Sequence, residues 1–176
     1  MSNVHARSID SSAAPGGQPS RWSALLSVPG ITLTLSIIGL LISVYLTYVH
    51  YDDSVLVCTS GGGCHTVQQS EYATLGPVPI ALFGVLMFLT LGALALVRLR
   101  DIEFSFVNRE TATLAAWGIT LTALLYYAYL VYVELFVLEA ICQWCVATTI
   151  ATIGIFIAES FALRSELAID EDELID

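Results

Sequence analysis

The sequence contains no lysine, and its 176 residues include only six basic side chains, all arginine. A chain this poor in positive charge has no basic face for nucleic acid. Charged residues make up 12% of it and hydrophobic ones 56%. A soluble domain of this size carries about a quarter charged residues and under half apolar ones, so the polar material for a water-facing surface is missing. The net charge is −10. Little of it falls in the apolar runs, and much of it sits in the tail from Glu166 to Asp176. No Cys-x-x-Cys-His occurs, which argues against covalent haem. No small-x-small cleavage site follows the first apolar run, and that run is longer than a signal peptide's apolar stretch, so it reads as a retained helix.

The apolar residues are gathered into four runs: Leu25 to about Val49, Pro77 to Val97, Thr111 to about Phe136, and Ile141 to Ala162. Each is about 20 residues or longer, enough to cross a hydrocarbon core of about 30 Å. One such run is compatible with a buried core helix; four in so short a chain leave no polar faces. The sequence therefore predicts an all-α membrane protein, a four-transmembrane-helix bundle within residues 23–163. Pro29 and Gly30 fall in the first turns of the first helix, where proline is tolerated. Only Leu138 to Ala140 separates the last two runs, which predicts a tight antiparallel pair. Residues 1–22, rich in Ser, Ala, Gly, Pro and Gln, read as a disordered tail, and 164–176 as an acidic tail.

Arginine placement predicts the orientation. Arg7 and Arg21 precede the first run, Arg98, Arg100 and Arg109 lie between the second and third, and Arg164 follows the fourth. The other two loops have neither Lys nor Arg. The positive-inside rule puts both termini and the middle loop in the cytoplasm. The two loops left outside hold or adjoin every cysteine: Cys58 and Cys64 in the first, Cys142 and Cys145 at the start of the fourth run.

Cys142-Gln-Trp-Cys145 places two thiols at i and i+3 on one helix face. A helix N-terminus favours thiolate through its free amides and dipole. Glu134 and Glu139 act in the opposite direction. Between Cys58 and Cys64 lie Thr-Ser-Gly-Gly-Gly. Glycine adopts turns that other residues avoid, so this pair can bond to itself or re-fold to bring one cysteine elsewhere. Three readings of the four cysteines stand together. They form inert disulfides that staple the outer loops of a non-catalytic protein, or exchange-active pairs, or a zinc site whose Cys-x5-Cys half is atypical. His50 and His65 read as ordinary loop or interface histidines.

The chain resembles the bacterial homologues of vitamin K epoxide reductase, in a form without a fused thioredoxin domain. The residues that carry the resemblance are Cys58 and Cys64, Ser70 six positions after the second cysteine, Tyr72, Pro79 with Gly84, and Cys142 to Cys145 opening the last helix. Ser-Glu-Tyr-Ala-Thr-Leu followed by Val78-Pro79 is close to the family form, although Pro77 stands where a glycine often precedes Val-Pro. Another quinone-linked disulfide-forming family keeps its Cys-x-x-Cys in the first outer loop, so the order of motifs favours the vitamin K epoxide reductase branch.

The resemblance implies a membrane thiol–disulfide oxidoreductase of the bacterial cytoplasmic membrane, with its active cysteines on the outer face. Electrons would pass from a separate thioredoxin-like partner through Cys58/Cys64 and Cys142/Cys145 to a quinone of the ubiquinone or menaquinone type. Cys145 would face the quinone, Cys142 would exchange with Cys64, and Cys58 would meet the partner. By the same resemblance Ser70 is a donor near the quinone, or else steadies the segment from Thr66 to Leu75. Trp144 walls the quinone site or anchors at the interface. Thr149 faces the quinone or bonds its own backbone. Tyr126, Tyr129 and Tyr132 read as an aromatic belt.

Overall fold

The structure, a computed structural model, describes residues 27–59, 63–100 and 109–173. The N-terminal tail, Gly61 and Gly62, and the charged connection at 101–108 lie outside the described residues. In chain order come α1 (Val28–Tyr51), a 3-10 turn (Asp53–Val55), α2 (Gly63–Gln68), a second 3-10 turn (Glu71–Ala73), β1 (Thr74–Leu75), β2 (Val78–Pro79), α3 (Ile80–Leu99), α4 (Arg109–Phe136) and α5 (Gln143–Glu173). Among these, α1, α3, α4 and the Gln143–Leu167 part of α5 are long and apolar enough to cross a membrane. Helix α1 packs chiefly on α3 and α5, and α4 on α5.

The polarity of the bundle is arranged for lipid. The buried stripe of α1 is Gly30, Thr32, Ser36, Gly39, Ser43, Leu46 and Val49, mostly small or hydroxylated residues at three- and four-residue spacing. Its large apolar residues face outward, with Leu41 65% exposed. In water that surface would be a liability; between acyl chains, small residues inside let helices approach closely. The Phe88 ring lies where a side chain at Gly39 would sit, and Phe88, Leu91, Ala116 and Ile155 form the apolar centre.

A charge cluster closes the bundle at the end away from the cysteines. Arg98 on α3 grips Glu159 on α5 with two hydrogen bonds, Nη1 to Oε2 at 2.8 Å and Nη2 to Oε1 at 2.6 Å. Thr32 on α1 donates to the same carboxylate at 2.5 Å, and Arg98 Nη1 donates to Thr113 on α4 at 3.2 Å. All four long helices are thus tied through one neutralised pair, which is the way lipid-depth charges are accommodated.

Most helix ends fall two or three residues from the sequence reading, and two of the differences have a visible cause. Helix α3 begins at Ile80, not at Pro77, because Val78–Pro79 pairs antiparallel with Thr74–Leu75. Gly76, with φ 65°, opens the two-residue turn between them. Glycine is required there, one place before Pro77. Helix α5 continues past Ala162 to Glu173, since no glycine or proline interrupts that stretch. The apolar run ends at Ala162, but the helix-forming residues do not.

The buried pair yields a measurable expectation. Arg98→Met or Glu159→Met alone should destabilise the detergent-solubilised protein by about 3–5 kcal/mol, because one charge stays buried without its partner. The double variant should recover most of that loss. Losses that simply add in a denaturation series would contradict a desolvated, mutually dependent pair.

Candidate functional site

The four cysteines meet at the end of the bundle opposite the Arg98 cluster. Cys58 and Cys64 form a disulfide with Cα atoms 6.0 Å apart. Cys142 and Cys145 are free thiols. Cys64 and Cys142, both fully buried, share one apolar cluster with Val67, and Leu56, Cys58, Leu138, Ala140, Trp144 and Cys145 surround it. Short helix α2 begins at Gly63, and its position against α5 depends on that residue. A Cβ there would lie 2.6 Å from the Ile141 carbonyl oxygen. The third glycine of the triplet is therefore a contact residue, whereas the sequence suggested only a flexible one.

The two central residues of the Cys-x-x-Cys hold the segment that leads to Cys58. Gln143 Oε1 accepts from the Thr59 hydroxyl at 2.5 Å, and its Nε2 donates to the Val57 carbonyl at 3.4 Å. The Trp144 indole N–H donates to the same carbonyl at 2.9 Å, and its ring packs on Tyr45 with centroids 5.0 Å apart. Tyr45 completes the clamp, accepting from Val57 N–H at 2.9 Å and donating to Val55 O at 3.2 Å.

Cys142 precedes the first residue of α5, and its carbonyl accepts from Val146 N–H at 3.0 Å. The sequence set helix-end amides against nearby carboxylates without deciding between them; the geometry decides. Hydrogen bonding from the Cys145 thiol, helped by the Cys145 and Trp144 amides, lowers the Cys142 pKa to about 7, against opposition from burial and the Glu134 carboxylate. Such a thiol is substantially thiolate at neutral pH.

Beneath the cysteines lies an apolar cavity bounded by all four long helices. Cys145 is in its wall and Cys142 is not. Ser70 and Thr149 line it as well, but each spends its hydroxyl locally: Ser70 donates to Val67 O at 2.7 Å, and Thr149 to Cys145 O at 2.8 Å. Trp144, read as either a wall of the quinone site or an interface anchor, stands outside the cavity wall with its indole turned to Val57. Tyr126, Tyr129 and Tyr132 face outward, at 41–57% exposure.

Sequence reasoning passed over the α4 face inside the cavity. Tyr127, Leu130, Val131 and Glu134 line it at helical spacing. Glu134 is 5% exposed, and its Oε2 accepts from Cys142 N–H at 3.2 Å. The signal was present in the sequence: a carboxylate seven residues after Tyr127 in an apolar helix, where an ionisable group is costly. His65 is exposed and His50 packs edge-on against Tyr51. A four-cysteine zinc site would need all four thiolates, and two are bonded to each other here.

The lowered pKa can be read by the ultraviolet absorbance of thiolate in reduced protein carrying Cys58→Ser and Cys64→Ser. The signal lost on Cys142→Ala should titrate near pH 7. Cys145→Ala should move that midpoint upward, since its thiol is the largest cause. A midpoint at the ordinary thiol value of 9.0 would contradict the geometry.

Comparison with known protein families matches residues 30–160 to the vitamin K epoxide reductase family. That stretch holds both cysteine pairs, the cavity and the Arg98–Glu159 pair. With most of its length matched and four membrane-crossing helices, the chain belongs to the vitamin K epoxide reductase family, which makes it an integral membrane oxidoreductase acting on thiols and disulfides.

Proposed function

We propose that the protein carries electrons from a thioredoxin-like partner through Cys58/Cys64 and then Cys142/Cys145 to a membrane quinone. This would support disulfide formation outside the cytoplasm. One observation carries the reading: the sulfurs lie in working order, from half-buried Cys58, to Cys64 and Cys142 in one cluster, to Cys145 in the cavity wall. Thiol–disulfide exchange needs a thiolate facing a disulfide and no metal. A partner dithiol opens Cys58–Cys64; the Cys64 thiolate then attacks Cys142 of an oxidised Cys142–Cys145 pair. Cys145 leaves as thiolate, and Cys58 closes back on Cys64. The electron pair then rests on Cys142 and Cys145, which is the redox arrangement of the structure.

The cavity suits a quinone: its walls are mostly apolar, and Cys145, Glu134 and Tyr127 bring polar atoms to it. Ser70 and Thr149 would border the ring. A bound quinone supplies a two-electron acceptor that can exchange with the lipid phase. For Trp144 we assign the clamp on Val57, which orients the Cys58 segment. The cysteines lie on the outer face in this reading, with both termini in the cytoplasm. Support comes from Arg98, Arg109 and Arg164, which gather at the opposite end of the bundle.

Purified protein in detergent, given quinone and a reduced thioredoxin-like protein, should reduce the quinone. Cys145→Ser should abolish this with little change in thermal stability. Gly63→Ala should slow partner oxidation while leaving quinone reduction driven by a small dithiol nearly intact, because the added methyl pushes α2 off Ile141. Wild-type protein that reduces no quinone, with Cys145→Ser merely less stable, would overturn the reading in favour of stapling disulfides.

A further inference from the structure

Among the described residues two glutamates are buried, and their surroundings are opposite. Glu159 is neutralised by the two-pronged grip of Arg98. Glu134 has no such partner: among the described residues, Arg98–Glu159 is the salt bridge present. Its known polar contacts are the Cys142 N–H at 3.2 Å and a side-chain interaction with the Cys145 thiol. A buried carboxylate without a cation is expensive in an apolar bundle, and this one lines the cavity with Cys145 and accepts from the backbone of Cys142. The titratable groups around it are few. Cys142 and Cys145 face it from the start of α5, Tyr127 from its own helix, and Tyr72 across the cavity; α1 and α3 contribute Ser43, Leu46, Ile80, Ala81 and Gly84, none of which titrates.

We propose that Glu134 is the proton acceptor for Cys145, a further catalytic residue of the dithiol pair. The inference rests on the quinone reading above and deepens it. When the pair is oxidised, Cys142 enters as thiolate, its proton already released, the Cys145 S–H bond breaks and the Cys142–Cys145 S–S bond forms. The electron pair leaves to an acceptor of the quinone class. One proton leaves through Glu134, and the other is shed by Cys142. The acceptor gains two electrons and two protons in all and becomes a quinol, so atoms and charge balance. The carboxylate touches the thiol that lines the cavity and reaches the backbone of the other, so it can hold a proton between sulfur and cavity without moving α5. General-base assistance of this kind is worth about 10²–10⁴-fold in rate.

Glu134→Gln separates this role from a structural one, since the amide oxygen still accepts the Cys142 N–H but cannot take a proton. Two readouts are needed on the full chain in detergent. In quinone-free protein oxidised by the soluble reagent diamide, infrared difference spectra should show a carboxyl group changing protonation, and Glu134→Gln should remove that band. With quinone, Glu134→Gln should lower turnover about a hundredfold and remove the Glu134 component of the fall in rate towards acid pH, leaving the part set by the Cys142 thiol, while exchange between Cys142 and the Cys58–Cys64 disulfide is not slowed, since the carboxylate opposes the Cys142 thiolate. Glu134→Asp, which keeps a carboxyl at shorter reach, should retain the acid limb and part of the rate, and it carries the test should Glu134→Gln fail to fold. An unchanged pH profile with an unchanged infrared spectrum in Glu134→Gln would overturn the proposal. Failure of the wild type to reduce any quinone would overturn the functional reading instead, and the infrared arm would still decide the fate of the proton.

Discussion

The site depends on one close approach. Gly63 meets the Ile141 backbone at a distance that no side chain could share, with a Cβ falling 2.6 Å from the carbonyl oxygen. That contact sets the start of α2 against the entry to α5, and it brings Cys64 into one dry cluster with Cys142. Neighbouring residues reinforce it. Gln143 and Trp144 grip Val57 and Thr59, so both residues between the paired thiols also hold the segment running to Cys58. The loop disulfide and the helix thiols are therefore parts of one packed unit. Small displacements there decide whether sulfur meets sulfur.

Lipid as solvent explains why the rest of the bundle takes its form. Small and hydroxylated residues turn inward on α1, and large apolar ones turn out. Threonines within the helices donate to carbonyls three or four residues back, as Thr34, Thr90, Thr122 and Thr152 do, which satisfies their hydroxyls away from water. The two buried carboxylates divide the work. Glu159 joins four helices because Arg98 cancels its charge. Glu134 has no salt-bridge partner among the described residues, and it sits at the opposite end among thiols.

The apolar runs made the four helices legible, because lipid imposes a length and an apolar composition on any segment that crosses it. The same runs placed most helix ends only to within two or three residues, and the last end missed by more. Hydropathy does not sense the Gly76 turn that delays α3 to Ile80, nor the helix formers that carry α5 past Ala162. Spacing paired the cysteines but left three readings of them open, and the structure adds their order relative to the cavity. Trp144 was left between a wall of the quinone site and an interface anchor; its indole is claimed by Val57, a partner distant in sequence. Glu134 was read only as a nearby charge; its place in the wall follows from the face it shares with Tyr127, one helical step off the outward Tyr126–Tyr129 pair. Gly63 looked like slack in a loop because a sequence does not show which backbone approaches a missing side chain.

The central claim is that Cys64 and Cys142 bond to each other in the course of turnover. Removing the resolving thiol makes that bond observable, since exchange proceeds through a mixed disulfide. The direct measurement is peptide mapping by mass spectrometry of Cys145→Ser protein acid-quenched in whole cells, where the Cys142 thiolate meets the Cys58–Cys64 disulfide and can displace Cys58 from Cys64. The relay requires a Cys64–Cys142 disulfide, with Cys58 free or joined to the partner; Cys58–Cys64 as the sole disulfide would contradict it.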